Sequence, residues 1–286
     1  MGIRKCKAMI QDIFPKHMVC DYHEYVESKS DTAICISDGR LLVKLNEAGE
    51  IVLPNEEELK SLSVELSFPV RYLFSIDGED YVLWAAKERI SVPGYELKKL
   101  SEIRGHEPKD RIMAAATGWH LYNWYNDNQH CGRCGKVLTH DHRLRMMKCD
   151  CGNQIFPRIS PAVIVGVING DEILVTKYAG REYKKNALIA GFTEIGETAE
   201  ETVAREVMEE VGLKVKNIRY YKSQPWGFSG TLLLGFFCEV DGNTEIKMDE
   251  EELSVAEWIK RGELEEYTEN VSLTGEMMNA FRAALI

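Results

Sequence analysis

No stretch of this 286-residue chain is apolar for the 20 or so residues that a bilayer-crossing helix needs, so no helical membrane anchor is expected. Its opening residues, Met1-Gly-Ile-Arg-Lys, lead into no apolar signal core, and no low-complexity tract or short-period repeat follows. Positive charge is scarce: 35 Lys and Arg stand against 46 Asp and Glu, which leaves −11 at neutral pH. That deficit excludes a broad electrostatic grip on nucleic acid or on an anionic membrane. A small or metal-neutralised anion stays within reach, because the field inside a cleft need not follow the net charge. Cytoplasmic residence is the resulting expectation. Cysteine is also thinly spread, with Cys6, Cys20, Cys35 and Cys238 scattered, whereas the other four fall together between 131 and 151. Such a cluster suits a metal site in a reducing compartment better than a disulfide framework.

What the chain does hold is enough length and apolar content for two domains, or one domain with a sizeable appendage. The N-terminal third reads as strands. Thr32-Ala-Ile-Cys-Ile-Ser and Leu41-Leu-Val-Lys-Leu flank Asp38-Gly39, and Pro69-Val-Arg-Tyr-Leu-Phe-Ser and Tyr81-Val-Leu-Trp flank Asp77-Gly78. Asp-Gly suits the type I′ turn of a hairpin, so two hairpins are expected there. Pro54-Asn-Glu-Glu-Glu-Leu-Lys between them reads as a short acidic helix start or a loop. A helix is predicted from Pro108 to about Trp124, with Ile112, Ala115, Ala116 and Trp119 as its apolar stripe. Trp119, Tyr122, Trp124 and Tyr125 read as packing, since no basic residues interleave with them. A third hairpin turns at Asn169-Gly170, strands are expected at 187–190 and 230–238, and an amphipathic tail helix at about 273–285. Strands interleaved with helices without a strict βαβ repeat indicate an α+β fold.

The clustered cysteines read Cys131-Gly-Arg-Cys134, then Cys149-Asp-Cys151. A Cys-x-x-Cys knuckle followed by a second pair at this distance is the signature of a zinc ribbon. Four thiolates would close the shell around Zn²⁺ and make the site structural. The second pair is unusual, with one residue between the thiols where ribbons have two, and His130, His140 and His142 stand by as alternative ligands.

Residues 191–213, Gly-Phe-Thr-Glu-Ile-Gly-Glu-Thr-Ala-Glu-Glu-Thr-Val-Ala-Arg-Glu-Val-Met-Glu-Glu-Val-Gly-Leu, carry the chemistry. No Pro or Gly interrupts 198–211, and Gly212 is placed to stop a helix. On that helix Glu206, Glu209 and Glu210 share one face, being three and four residues apart. Unaided, three such carboxylates repel one another. A hard divalent cation such as Mg²⁺ removes the conflict and keeps sites for phosphate and water. Val203, Val207 and Val211, with Ala204 and Met208, are expected to anchor the helix to a core. Arg205 is cast as an orienter whose fork holds a carboxylate such as Glu197.

This stretch matches the Nudix box at every position, and Ser223-Gln-Pro-Trp-Gly-Phe-Ser229 resembles the Ser-Gln-Pro-Trp-Pro-Phe-Pro-x-Ser signature of the NADH pyrophosphatase subfamily. Gly227 and Ser229 stand where that signature has proline, and Thr231 replaces its serine. Without those prolines the segment is expected to be a mobile loop in which proline at 227 would be harmless or helpful to binding. The resemblance covers nearly the whole chain. It implies a divergent β-rich N-terminal domain with a linker helix (1–126), a zinc ribbon (127–157) and a catalytic Nudix domain (158–286), a mixed sheet sandwiched by helices. It further implies a homodimer whose active sites draw on both subunits, with Phe156 and Phe192 stacking on adenine and the Ala190 carbonyl contacting metal. Gln224, Trp226 and Thr231 would belong to the substrate pocket. Glu252 is in register with a further catalytic glutamate, Glu250 and Glu251 remaining open. The tail motif Ser-Ile-Ala-Arg appears only as Ser272-Leu273-Thr274-Gly275.

The implied activity is hydrolysis of NADH or NAD⁺ to nicotinamide mononucleotide (reduced, from NADH) and AMP. Mg²⁺ or Mn²⁺ would sit on Glu206, Glu209, Glu210 and Glu252, and one structural Zn²⁺ on Cys131, Cys134, Cys149 and Cys151. Two rivals stand beside it. One is removal of an NAD cap from the 5′ end of RNA, the same bond on a larger molecule. The other is a non-catalytic nucleotide sensor, which would be expected to have lost its metal carboxylates; here all are present.

Overall fold

The computed structural model describes residues 9–27, 31–62, 64–180, 185–269 and 271–286; Met1–Lys5 and Cys6 lie outside them. The chain divides into two compact units. One comprises residues 10–158 with 226–230, the other 1–9, 159–225 and 231–286. No helix among the described residues is long and apolar enough to cross a membrane.

The N-terminal unit begins with β1 (Met18–Val19), β2 (Thr32–Ser37), β3 (Arg40–Leu45) and β4 (Ile51–Val52). Helix α1 (Glu56–Lys60) follows, then β5 (Arg71–Ile76), β6 (Glu79–Ala85), β7 (Glu96–Lys98), α2 (Leu100–Ile103) and the long α3 (Lys109–Asp127). The strands form one sheet in the order β1-β5-β6-β2-β3-β4, with β7 also on β3. Both expected Asp-Gly hairpins are present. Asp38 and Gly39 have φ of 51° and 64°, and Asp77 and Gly78 of 49° and 78°, the left-handed pair that a type I′ turn requires. β2 and β6 are joined in parallel, so the two hairpins merge into one mixed sheet. The ambiguous acidic segment is the helix α1, fixed by a capping box in which Asn55 and Glu58 satisfy each other's backbone N–H groups. α3 runs three residues past Trp124. Its buried face takes Ile112, Ala115 and Ala116 as expected, but Trp124 and Tyr125 are buried where Trp119 is only half-buried. α3 lies hard against β2, since a Cβ at Gly118 would come within 2.8 Å of Ile34. Three short strands, β8 (Thr139–His140), β9 (Met147–Lys148) and β10 (Gln154–Ile155), make a small antiparallel sheet beside the cysteines.

The C-terminal unit contains β11 (Ser160–Asn169), β12 (Glu172–Tyr178), β13 (Ile189–Phe192), α4 (Ala199–Val211), β14 (Val215–Trp226), β15 (Thr231–Val240), β16 (Leu253–Lys260) and α5 (Leu273–Arg282). Its sheet runs β14-β15-β11-β12-β16, with β13 on β11 and a parallel β11–β15 pair at its centre. The long apolar run of β11 is explained by burial on both faces. On one face Val163, Val165 and Phe236 meet Val203, Val207 and Val211 of α4. On the other, Ile164, Val175 and Phe237 meet Leu273, Met277, Met278 and Phe281 of α5. This is the helix–sheet–helix sandwich that the resemblance implies. Two details differ from expectation. Ala204 and Met208 are exposed, because only the valines, spaced four apart, keep to the core side of α4. The tail helix ends at Arg282, not near Leu285.

Candidate active site

The helix carrying the glutamates is closed at both ends by its own sequence. Thr198 accepts from the Glu201 N–H at 3.2 Å while the Glu201 carboxylate accepts from the Thr198 N–H at 2.8 Å. Gly212, at φ +67°, turns the chain out of the helix and donates its N–H to Met208 O. The loop before the helix turns at Gly196, whose φ of +99° excludes ordinary side chains. Gly191 on β13 answers to a different need: a Cβ built there would stand 1.9 Å from the Glu206 carboxyl carbon. The strand backbone is pressed against this carboxylate, leaving space for no side chain.

Arg205 is the organiser of the cluster. Its Nε and Nη2 donate to Glu197 at 2.6 and 2.9 Å, Nη1 donates to Glu206 at 2.8 Å and Glu209 at 2.9 Å, and Nη2 also reaches the Phe192 carbonyl at 2.9 Å. Bidentate pairing of this kind fixes orientation as well as charge. The Arg205 hydrogen bonds hold the Glu197 carboxyl down to about 2. Glu206 goes the other way: burial raises it, the charges of Glu209 and Glu252 add to the rise, and Arg205 opposes them. The Glu252 charge comes from the loop that leads into β16. Glu251 sits in a turn, its N–H on the Asp249 carboxylate. Glu210 is only 2% exposed, and a carboxylate taken out of water is costly without a compensating cation or donors.

The aromatic and recognition residues are placed as follows. In the C-terminal unit the Phe192 ring is 57% exposed, and Ala190 pairs with Ile164 on β11. In the N-terminal unit Phe156, 52% exposed, lines a cleft of about 410 Å³ with His120, Asn123, Asp127, Asn128 and Arg158. The segment expected to be a recognition loop is strand as far as Trp226. Pro225 is accommodated because β14 is an edge strand. Gln224 is fully buried, its amide N–H donating to Val271 O at 2.9 Å and its Oε1 accepting from Leu273 N–H at 2.7 Å. It ties down the start of α5. Thr231 is buried too, opposite Ser160 at the start of β15. Only the turn after Trp226 departs from regular strand, with Trp226 and Phe228 rings 4.5 Å apart. At Gly227 a Cβ would meet the Ala116 carbonyl at 2.1 Å, which overturns the expectation that proline is harmless there.

The cysteines converge. Cys131, Cys134, Cys149 and Cys151 bring their sulfurs within 4.8 Å of one another, with Cys131–Cys151 at 3.7 Å and Cys134–Cys149 at 3.4 Å. A tetrahedron of thiolates about 2.3 Å from zinc has edges of roughly 3.8 Å, so the donor set fits that ion. The Cys-x-Cys pair therefore reaches. Two of the histidine alternatives are engaged elsewhere, His140 with Tyr22 and Tyr125, His142 with Glu24. Burial works against ionising Cys131, but the backbone N–H groups of Arg133 and Cys134 outweigh it and bring the thiol down to about 6.

The NUDIX domain profile matches residues 158–281. Over 218 residues the chain is 32% identical to a protein of Photorhabdus laumondii named NAD-capped RNA hydrolase NudC, a match covering 74% of this chain and 84% of that protein. The chain belongs to the NADH pyrophosphatase subfamily of the Nudix hydrolases. An Escherichia coli protein, also named NAD-capped RNA hydrolase NudC, is 39% identical over 154 residues, 54% of this chain and 60% of that protein. The chain thus spans about three fifths of that relative's length. A Nudix hydrolase structure from Nitrosomonas europaea, 19% identical, overlays 54% of this chain and 90% of its own with a TM-score of 0.46, too slight a likeness to argue from.

For a Nudix hydrolase the glutamate face is the expected home of divalent metal, and its donor set of carboxylate oxygens suits a hard cation. Among the described residues only the cysteines form a group of ligand atoms within 4.8 Å; Glu206 and Glu209 are held by Arg205 instead. Sequence reasoning missed the cleft residues His120, Asn123 and Asp127. Their spacing of three and four, one face of α3, was the signal available.

Proposed function

We propose that this Nudix enzyme cleaves the diphosphate bond of NADH and NAD⁺, releasing nicotinamide mononucleotide (reduced, from NADH) and AMP. The observation that carries the reading is the glutamate face of α4 locked by Arg205 and pressed against β13, in a chain that also bears the Ser223–Phe228 segment. Glu206, Glu209, Glu210 and Glu252, with the Ala190 carbonyl, would hold Mg²⁺ or Mn²⁺, and that ion would supply positive charge against the diphosphate and acidity for the attacking water. Glu252 accepts the proton of the attacking water. Arg205 keeps Glu197, Glu206 and Glu209 in register and is a positioning residue. Phe156 and Phe192 offer exposed rings for stacking on the base, and Trp226 shapes the pocket. The Cys131, Cys134, Cys149 and Cys151 site takes a structural Zn²⁺. The working form is a cytoplasmic homodimer.

A second reading is favoured by the names of the two relatives: removal of an NAD cap from RNA, which breaks the same bond. A sensor without activity is disfavoured because the metal carboxylates are all retained. Product analysis across NADH, NAD⁺, ADP-ribose, diadenosine polyphosphates and NAD-capped RNA tests these readings. Faster release of mononucleotide from NADH than from ADP-ribose or diadenosine substrates supports the first, and preference for capped RNA promotes the second. Absence of turnover on the whole panel with Mg²⁺ or Mn²⁺ overturns both.

A further inference from the structure

Buried charges in proteins are paired, because removing an ion from water without a partner is costly. Most arginines that are not on the open surface here obey that rule: Arg111 pairs with Glu79, Arg205 with its glutamates and Arg261 with Asp171. Arg71 and Arg145 of the N-terminal unit do not. Both are half-buried, and among the described residues no carboxylate lies within ion-pair distance of either. Each guanidinium carries five N–H donors. The Arg71 Nε is buried with no hydrogen-bond partner, and Arg145 donates to the Leu73 carbonyl.

The two cations share one neighbourhood. Arg71 stands 5.9 Å from the centre of the Tyr125 ring and Arg145 5.6 Å from that of Tyr22. His140 links those tyrosines, its Nε2 3.1 Å from the Tyr125 hydroxyl and its Nδ1 3.1 Å from the Tyr22 hydroxyl. Burial lowers the His140 pKa and both arginines lower it further, against the Asp141 carbonyl 2.6 Å from Nδ1, so the imidazole does not supply a third charge at neutral pH. The nearby acids are engaged with other groups: Asp141 accepts from Lys148 at 3.0 Å and from the Arg143 and Leu144 N–H groups, and Glu24 is 2.5 Å from His142. Two like charges are thus held together, in a chain with acid to spare, beside aromatic rings and an orphaned donor.

We infer that Arg71 and Arg145 form an oxyanion site that takes a phosphate group, flanked by Tyr22 and Tyr125. The missing counter-charge is then the ligand's, and the planar guanidinium forks match a tetrahedral phosphate better than any point charge. The chemistry is shared by a free phosphate and by the phosphodiester of an RNA strand, and the site does not depend on the reading of the Nudix centre.

The test uses the full-length protein and reads binding, so a failure of the proposed reaction would not disturb it. Inorganic phosphate and a short single-stranded RNA with a 5′-hydroxyl are titrated separately, following the arginine Nε–H resonances by NMR and affinity by equilibrium dialysis. The expected result is movement of the Arg71 Nε–H signal and at least ten-fold weaker binding in Arg71→Gln and Arg145→Gln, with Arg71→Lys in between. If the strand is the ligand, the slope of log affinity against log salt falls by about 0.7 for each arginine removed. Response to phosphate alone assigns a free-phosphate site. Unmoved Nε–H signals in the wild-type protein with both probes overturn the proposal without recourse to any variant.

Discussion

The two clusters of candidate metal ligands in this chain are built on opposite plans. The four cysteines already stand at the corners that a zinc ion needs, in and beside the turns next to short strands. Gly135 and Gly152, at φ of +75° and +84°, let the chain fold back at each knuckle, and the Gly135 and Gly152 N–H groups donate to Cys131 O and Cys149 O. The glutamates, by contrast, are kept in order by an arginine. Arg205 neutralises part of their repulsion and holds two of the three on the helix face. A closed thiolate shell would serve folding; an open carboxylate face ordered by one arginine would serve exchange of metal, water and phosphate. The comparison implies that damage to the first should appear in stability and damage to the second in turnover.

The largest effect is expected at Glu210. Glu210→Gln should lower turnover at saturating Mg²⁺ by a hundred-fold or more, the scale of several kcal/mol of lost metal stabilisation, while the melting temperature stays near wild type. Retention of more than about a tenth of activity would remove Glu210 from the metal site. The converse holds for the ribbon. Cys131→Ser should empty the zinc site and lower the melting temperature, with activity falling only as the protein unfolds. Freshly prepared, active protein that contains no zinc by elemental analysis would break the comparison at its structural end.

A smaller effect is expected at the turn of the β14–β15 hairpin. Gly227→Pro should cost about 1–3 kcal/mol, as overpacked sites do, because its added atoms meet a backbone carbonyl that cannot step aside. A melting curve unchanged by that substitution would show that the turn can relax. Smallest is Trp226→Ala, for which kcat/KM on NADH should fall roughly ten-fold, with a lesser loss on ADP-ribose. Equal losses on every substrate would make the Trp226–Phe228 contact a packing device and leave the substrate class undetermined.

The parts of the fold legible in the sequence are those with local punctuation. Asp38-Gly39, Asp77-Gly78 and Gly170 announce their turns, and Thr198 and Gly212 mark the ends of α4 to the residue. The glutamate face was legible for the same reason, since helical spacing alone brings Glu206, Glu209 and Glu210 to one side. β14 was not, because its burial alternates poorly on an edge and Pro225 reads as a breaker. The fate of Gln224 was hidden as well: its partners, Val271 and Leu273, lie more than forty residues away, and no local pattern announces a side chain that pins a distant helix. Gly227 looked like a lost proline. Its reason lies in the Ala116 carbonyl across the packed interface of the N-terminal unit, a contact that spacing rules do not reach.

Gly191 works as a gauge block, its lack of a side chain setting the gap between strand and helix. Adding one methyl group there changes no charge, donor or ligand, yet it must push the Glu206 carboxylate off its place. In a saturation-mutagenesis screen this position should therefore behave like a catalytic residue while owning no reactive atom. Alanine, the mildest substitution by every measure of size and polarity, should already lower turnover by displacing that carboxylate.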